Sequence, residues 1–374
     1  MEKTLYIHIG GIKTGTTALQ EFLSRNRALL ETKGYLYPGK TVNHWGITVE
    51  LGIPRPEGTS CFDPPPQLTA ILEEIMRSQC PYCIISAEDL AGRGGAGALR
   101  RLIPGTVVVK IIYYVRRQDE LIESWYNQIV KSFFSRCTRK LDEKLIGDYA
   151  RMFDHDAVIR PWADMFGREN IIIRPYEKRQ MNGDIIQDFC SVIGLAMDTT
   201  FVLSQERYNQ SLSVDHIEFL RLCNRHFKND YGMQEYLYRE FTNSRLNLQE
   251  NRWHLLAPSI RREILERYEP SNRRIALEYL GRTDGRLFYA PWPEPDEPWE
   301  KYNGLTAERL VPIVAEMIHT AEMRQKQEIQ KHKLQPLTSC LEILNYFLKK
   351  VMLFIPGALK QYFQEKNDRW YNRK

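Results

Sequence analysis

Residues 4–23 read TLYIHIGGIKTGTTALQEFL, and this stretch indicates the class of fold. The apolar run at 4–10 predicts a strand, and the apolar face of residues 16–34 predicts the helix that follows it. Gly10 and Gly15 stand at the two ends of the turn between them. A strand, a glycine-rich turn and a helix N-terminus together form an anion site, because backbone N–H groups point outward and the helix dipole favours negative charge.

The rest of the chain repeats this alternation of short apolar runs and helical patterns. Further strands are expected from nearly continuous apolar runs, which are typical of strands covered on both faces, at 82–89, 106–117 and 170–177. Helices are expected after them at 121–134 and 183–195. Connections rich in proline and glycine predict loops at 52–66 and 92–105. We therefore predict an α/β, P-loop-like three-layer fold with a mainly parallel central sheet flanked by helices, plus a helical C-terminal extension.

A boundary late in the chain divides two regions of different charge. A chain of 374 residues is long enough for two domains, and four prolines within 289–299 indicate the boundary. We predict domains at 1–295 and 296–374, the second basic and helical. Residues 301–374 carry 13 Lys or Arg against 7 Asp or Glu, whereas 1–300 carry 39 against 40. A nucleic-acid-binding domain carries its basic surface on the folded core, so we expect no nucleic-acid partner.

Composition favours a soluble cytoplasmic protein without a metal. No early stretch has the pattern of a signal peptide. No apolar run reaches the ~18–20 residues that cross a bilayer as a helix. The seven cysteines are scattered, and the single C-x-x-C formed by Cys80 and Cys83 lacks the second pair of a zinc site. We expect both to be reduced structural cysteines.

The turn in the opening stretch differs from the phosphate loop of nucleoside triphosphatases, G-x-x-x-x-G-K-[ST], at one decisive position. Thr16 stands where that loop has the lysine that reaches the β- and γ-phosphates. Lys13 instead lies at the crest of the turn, where an ammonium group could meet the bridging oxygen of a leaving group. An ATP-dependent small-molecule kinase with a degenerate phosphate loop, using the strand at 83–89 to hold magnesium, remains an alternative.

This lysine placement, in GGIKTGTTALQEFL, resembles the phosphosulfate loop of the sulfotransferase superfamily, whose donor is 3′-phosphoadenosine 5′-phosphosulfate (PAPS). A second stretch, YYVRRQDELIESWYNQ, supports the resemblance. Arg116 ends a predicted strand, and Glu120 and Ser124 follow in the family's R-x-x-x-E-x-x-x-S pattern, which implies that Arg116 and Ser124 grip the donor's 3′-phosphate. An arginine at the carboxyl end of a parallel strand enters the ligand-binding crevice and suits bidentate phosphate recognition. Arg117 is a rival, although its spacing to Ser124 is one residue shorter.

A third match lies later in the chain, in a loop that in the family folds over the nucleotide and is implied to touch the donor. Asn209, Ser211 and Ser213 belong to an Asn-x-Ser-Leu-Ser segment that is frequent in bacterial carbohydrate sulfotransferases, and Ser213 also suits the N-cap of a helix. Residues 268–291 resemble the end of the bacterial catalytic domain. The resemblance covers roughly 1–295 and implies a catalytic domain that sulfates a polysaccharide or glycolipid.

The resemblance also implies roles for the loop residues. Lys13 would stabilise charge developing on the leaving phosphate, and the backbone N–H groups of 14–17 would hold the 5′-phosphosulfate with the hydroxyls of Thr16 and Thr17. Sulfuryl transfer moves less negative charge than phosphoryl transfer, which suits a site without Mg²⁺. The implied donor-binding residues are Lys13, Thr14, Gly15, Thr16, Thr17, Arg116, Ser124, Asn209 and Ser211.

The acceptor hydroxyl also needs a general base. Glu88 ends a predicted buried strand, close to where several branches of the family place a catalytic histidine, and burial would raise the pKa of its carboxyl group. His44 follows the first helix, where other branches place a catalytic glutamate. We favour Glu88 as the base, with His44 as its rival or partner and Asp89 able to exchange roles with Glu88. His8, within the first strand, is expected to be a packed core residue.

The C-terminal tail suggests a partner of its own. Residues 338–363 place leucines at helical spacing beside lysines, as in a helix that lies on an anionic membrane surface. A helix folded back on the main domain, or a dimerisation element, fits the same pattern. Peripheral contact with the inner face of a membrane is therefore one expectation. A non-catalytic nucleotide-binding scaffold, whose tail recruits partners, is the remaining alternative to an enzyme.

Overall fold

The computed structural model describes residues 2–53, 67–92, 94–132, 135–203, 212–227, 230, 232–233, 235–237 and 254–332. The strands within them are β1 (Lys3–His8), β2 (Tyr35–Leu36), β3 (Tyr82–Ser86), β4 (Val107–Val115) and β5 (Ile171–Pro175). They form one sheet in the order β2-β3-β1-β4-β5, and every neighbouring pair is parallel. The predicted α/β class with a parallel central sheet is confirmed.

Helices connect the strands, and further helices follow β5. In the described residues they are α1 (Thr16–Arg25), α2 (Arg27–Thr32), α3 (Trp45–Glu50), α4 (Leu68–Arg77), α5 (Gly95–Leu102), α6 (Gln118–Lys131), α7 (Glu143–Asp148), α8 (Ala150–Phe153), α9 (His155–Phe166), α10 (Ile185–Val192), α11 (Val214–His226), α12 (Pro258–Glu278) and α13 (Ala307–His332). The long helix α13 agrees with the predicted C-terminal extension. Residues 338–363 lie outside the described residues, so their membrane contact stays a prediction. Among the helices described, none combines the length and the apolar character needed to cross a bilayer.

The core has two halves, one on each face of the sheet. Successive residues of β4 alternate between them, because side chains along a strand point to opposite faces. Ile111 and Tyr113 pack with apolar residues of α4, α5, α9 and α12, whereas Ile112 and Tyr114 pack with those of α1 and α10. Helices on both faces of a parallel sheet give the three layers that the sequence predicts.

The single helix predicted at 16–34 is wrong, because Asn26 interrupts it. The Asn26 side chain donates to the Phe22 carbonyl oxygen at 2.8 Å, and its amide oxygen accepts the Val202 N–H at 2.8 Å. This amide therefore joins the end of α1 to a distant segment, and α2 begins as a separate helix. An asparagine that bonds to backbone groups competes with the helical ladder in this way.

The loop predicted at 92–105 is also wrong, because α5 occupies most of it. Gly94, with a φ of 89°, precedes the helix. Ala96 and Leu99, three residues apart, are buried in the core half that contains α9. Their burial on one helical face outweighs the weak helix propensity of the neighbouring glycines.

The chain separates into two compact units. The first comprises Met1–Gln210 and His254–Lys301 and contains the sheet, and the second comprises Ser211–Trp253 and Tyr302–Lys374. Within the second unit, the Tyr302 hydroxyl donates to Asp215 at 2.8 Å. The domain boundary predicted at 295/296 stays a prediction.

The turn after β1 is held tightly between the ends of β3 and β4. The Tyr114 N–H donates to the Gly10 carbonyl oxygen at 2.9 Å. A Cβ on Gly10 would lie 2.7 Å from the Cα of Glu88, and a Cβ on Gly11 would lie 1.9 Å from the carbonyl oxygen of Tyr114. Both glycines also have positive φ, at 95° and 123°. Only residues without a side chain allow this path of the backbone.

We expect Gly11→Ala to lower the free energy of unfolding by about 3 kcal/mol or more, because a Cβ overlaps backbone and the φ is unfavourable. Gly97→Ala is the matched control. Gly97 lies within α5 and its added Cβ would meet open space, so this change should stabilise by about 0.5–1 kcal/mol. Urea unfolding of the three chains measures both effects, and equal stability of the two variants would contradict the close packing of this turn.

Candidate active site

The backbone of Lys13 is strained. Its φ of 61° lies in the left-handed region, and in the described residues only Arg136 is another non-glycine residue with positive φ. Strain of this kind persists where the surrounding structure fixes it, and it is concentrated at functional sites. Lys13 lies between Gly11 and Gly15, whose φ values are also positive, so the loop turns sharply on both sides of it.

The Lys13 side chain lies among other charged groups. Its Nζ donates to Oε1 of Gln128 on α6 at 3.3 Å. Burial lowers the pKa of Lys13, the positive charge of Arg116 lowers it further, and Glu88 acts in the opposite direction. The loop therefore places its lysine close to both the predicted base and the predicted phosphate ligand.

Arg116 meets the loop directly. Its Nη1 donates to the Lys13 carbonyl oxygen at 3.1 Å, and its Nε and Nη2 donate to Oε2 of Glu120 at 3.3 Å. The guanidinium carbon lies 6.0 Å from the centre of the Tyr176 ring. About a quarter of the Arg116 side chain remains exposed. Two stretches more than a hundred residues apart thus form one cationic site.

Hydrogen bonds around Arg116 hold its backbone in place and occupy Arg117, the alternative phosphate ligand. Nε2 of His155 donates to the Arg116 carbonyl oxygen at 2.8 Å, and the Tyr113 hydroxyl lies 3.1 Å from Nδ1 of the same ring. Arg117 is buried and donates to both carboxylate oxygens of Asp119, at 2.8 and 2.9 Å. The bidentate capacity of Arg117 is used by this pair, so Arg116 is the arginine that faces the loop.

Glu88 is joined to the first turn of α1. Its Oε2 accepts the Thr16 hydroxyl at 2.6 Å, and it begins a short 3₁₀ helix, Glu88–Ala91, directly after β3. Burial raises the pKa of Glu88, while the Thr16 hydrogen bond and the charge of Lys13 act against that rise. A carboxylate with a raised pKa beside a lysine is well suited to accept a proton.

The loop threonines differ in what their hydroxyls do. Thr14 is buried, and its hydroxyl donates to the Gly11 carbonyl oxygen at 2.6 Å, which closes the turn. The Thr16 hydroxyl donates to Glu88. The hydroxyl protons of Thr14 and Thr16 are therefore used within the protein, and the role of the Thr17 hydroxyl stays a prediction. The N–H groups at the start of α1 are further donors that an anion would meet.

His44 makes different contacts. Its ring is fully buried, Nδ1 accepts the Ser86 N–H at 3.0 Å, and Nε2 donates to the Pro38 carbonyl oxygen at 2.9 Å. Burial lowers its pKa to about 4. Both ring nitrogens thus bond to the backbone and hold the end of β3. Of the two predicted bases, Glu88 is the one whose described contacts reach the loop.

His8 is packed in the core, as the sequence suggests. Its ring is fully buried, and Nδ1 lies 2.8 Å from the Ser86 hydroxyl oxygen. The rings of Tyr114 and Phe189 pack edge-on against it. Burial lowers its pKa to about 3, so this histidine stays neutral at physiological pH.

A cavity of about 450 Å³ opens in the first unit, and its lining includes Arg117, Glu120 and Glu177 but no residue of the loop at 10–17. Tyr176, over which Arg116 lies, and the cationic pair Lys178 and Arg179 are part of its lining. A Cβ on Gly15 would lie 3.4 Å from the Tyr176 hydroxyl oxygen, so this tyrosine joins the cavity to the loop. Cavities of this size accommodate small ligands such as nucleosides.

Sequence reasoning missed two residues near the loop, Gln128 and Lys131. Gln128 accepts from Lys13. Lys131 is only 6% exposed, and burial, together with the charge of Lys13, lowers its pKa to about 8. The signal that could have found them is helical spacing, because they continue the row on α6 that begins with Glu120 and Ser124.

The remaining predicted ligands are described only in part. Ser124 is half-buried on α6, between the residues that contact Arg116 and Lys13. Asn209 and Ser211 lie outside the described residues. Across the described ranges, no group of three or more His, Cys, Asp or Glu side chains is placed to hold a metal ion.

Comparison with known proteins gives distant likenesses. No protein-family model matches the chain. A protein of Archaeoglobus fulgidus, described as uncharacterized, is 28% identical over 179 residues, so the chain spans 46% of the length of this curated relative. A crystal structure of a sulfotransferase from Alicyclobacillus acidocaldarius is similar with a TM-score of 0.38 and 17% identity, over 63% of this chain and 95% of that one. Likenesses this distant do not determine an activity.

We expect Thr16→Val to raise the pKa of Glu88 further, because the hydroxyl that lowers this pKa is removed while the shape of the side chain is kept. Thr16→Ser, which retains a hydroxyl, is the matched control. The carboxyl ¹³C chemical shift of Glu88, followed as a function of pH, gives the midpoint of its titration and hence its pKa. An unchanged midpoint in Thr16→Val would contradict the bond between these two residues.

Proposed function

We propose that the chain is a sulfotransferase that moves a sulfuryl group from PAPS to a hydroxyl of a carbohydrate acceptor, a polysaccharide or glycolipid. The observation that carries this proposal is the bond between Arg116 and the carbonyl oxygen of Lys13. It joins two cationic elements at the carboxyl ends of β1 and β4, where parallel sheets bind ligands. PAPS carries two separate anionic groups, and this site has a cationic residue for each.

The proposed donor position follows from these elements. The 5′-phosphosulfate lies against the N-terminus of α1, where N–H groups and the helix dipole favour an anion. The 3′-phosphate bonds to Arg116, with Ser124 beside it. We place the nucleoside in the cavity that Tyr176 helps to line, because Arg116 lies over the ring of this tyrosine. On binding, the 3′-phosphate competes with Glu120 for the Arg116 guanidinium.

The chemistry then needs one base and one cation. An acceptor oxygen attacks sulfur while its proton passes to the Glu88 carboxylate. The new O–S bond forms as the S–O bond to the 5′-phosphate breaks, and the electron pair stays on the phosphate oxygen. Lys13 stabilises that developing charge. The products are a sulfated acceptor, 3′,5′-ADP and a protonated Glu88.

The carbohydrate class of the acceptor rests on sequence motifs, namely the segment around Asn209 and residues 268–291. Glu88 supports transfer to an alcohol in general, because a sugar hydroxyl must lose its proton during attack. A kinase remains the alternative in which ATP·Mg is the preferred nucleotide. The sulfotransferase and the kinase are therefore best distinguished by which nucleotide the chain binds more tightly.

We expect calorimetry to show tighter binding of 3′,5′-ADP than of ATP·Mg. Arg116→Ala and Lys13→Ala should each weaken 3′,5′-ADP binding by about 10- to 100-fold, the usual effect of losing a charged hydrogen bond. Arg100→Ala and Lys144→Ala, at exposed positions on α5 and α7, are the matched controls and should leave it unchanged. Labelled sulfuryl groups from PAPS should then appear in polysaccharide acceptors.

Three results would contradict the proposal, and each removes a different part of it. Preference for ATP·Mg would favour the kinase. Tight 3′,5′-ADP binding without transfer to any acceptor would favour the scaffold. Transfer to phenols but to no carbohydrate would support sulfotransferase activity and contradict the carbohydrate class of the acceptor.

A further inference from the structure

Four polar residues form one row along α6. Glu120, Ser124, Gln128 and Lys131 follow one another at spacings of four, four and three residues. Side chains at these spacings lie on the same face of a helix. The row extends from the first turn of α6 to its last residue.

Two residues of the row contact the cationic residues of the candidate site. Glu120, near the start, accepts from Arg116, and Gln128, two turns later, accepts from Lys13. The row therefore runs alongside the proposed donor site, from the arginine towards the loop lysine. Lys131 comes after Gln128, at the end of the row that is remote from Arg116.

Lys131 interacts electrostatically with Lys13. Its side chain is buried, and burial and the Lys13 ammonium group together lower its pKa to about 8. Two ammonium groups that repel each other in a poorly solvated site are stabilised by an anion between them. Lys131 is also about 10 Å along the helix axis from Ser124, so the two residues serve different parts of a donor.

We infer that Lys131 is a second lysine of the reacting centre, which binds the oxygens of the transferred sulfuryl group as an ammonium ion. This inference rests on the proposed function. The sulfuryl group is the anionic part of PAPS that lies beyond the 5′-phosphate, on the side away from the 3′-phosphate. Lys13 stabilises the departing phosphate oxygen, whereas Lys131 holds the sulfuryl oxygens, keeps its proton and forms no covalent bond.

The test compares two nucleotides that differ by the sulfuryl group. Calorimetry with PAPS and with 3′,5′-ADP, without acceptor, needs no knowledge of the acceptor. Lys131→Met should weaken PAPS binding by about 10-fold or more, as expected for a lost charged hydrogen bond, and 3′,5′-ADP binding by less than about 3-fold. Lys131→Arg, which keeps the charge, should retain most of the affinity for PAPS. Lys144→Met is the matched control at an exposed position.

Equal losses for both nucleotides in Lys131→Met, or no loss for either, would overturn the role of Lys131 while leaving the proposed function intact. A loss of PAPS binding in Lys131→Arg as large as in Lys131→Met would also overturn it. A wild-type chain that binds neither nucleotide would overturn the proposed function itself. Circular dichroism establishes that each variant is folded, and Lys131→Gln repeats the comparison if Lys131→Met does not fold.

Discussion

The carbonyl oxygen of Tyr114 occupies the space where residue 11 would carry a side chain, and the candidate site depends on this close approach. Because the backbone at Gly11 is pressed against the end of β4, the chain must turn sharply before α1 can begin. The turn forces Lys13 into the left-handed region and brings its carbonyl oxygen to Arg116. On the other side, Gly10 lies against the backbone of Glu88, so the proposed base is also held close to the loop.

Burial shifts the pKa values of the acidic and basic groups of the site in opposite directions. It raises the pKa of the Glu88 carboxyl group and lowers the pKa values of Lys13 and Lys131. Groups whose environments shift their pKa values in opposite directions are typical of sites that move protons and stabilise charge. The hydrogen bond from Thr16 moderates the rise in the pKa of Glu88 and joins this proposed base to α1, the helix at whose N-terminus we propose that the donor binds. The path of the loop backbone therefore determines both the positions of Lys13 and Glu88 and the burial that shifts their pKa values.

Much of the fold could be predicted because parallel strands are covered on both faces and read as continuous apolar runs. The loop and Arg116 could be located because their motifs are local in sequence. The break at Asn26 could not, because it depends on a bond to Val202, far away in the chain. The contacts of His44 were equally hidden, since they are made with backbone groups that carry no sequence signal. Helical spacing alone could place Lys131 on the same face of α6 as Glu120 and Ser124, but its burial beside Lys13 could not be predicted.

We propose that the loop and Arg116 hold the two anionic groups of one nucleotide. A crystal structure of the chain with 3′,5′-ADP tests it most directly. We expect the 5′-phosphate at the N-terminus of α1, bonded to the N–H groups of residues 14–17, and the 3′-phosphate on Arg116 and Ser124. A nucleotide bound in the reverse orientation, or with neither phosphate at the loop, would contradict it.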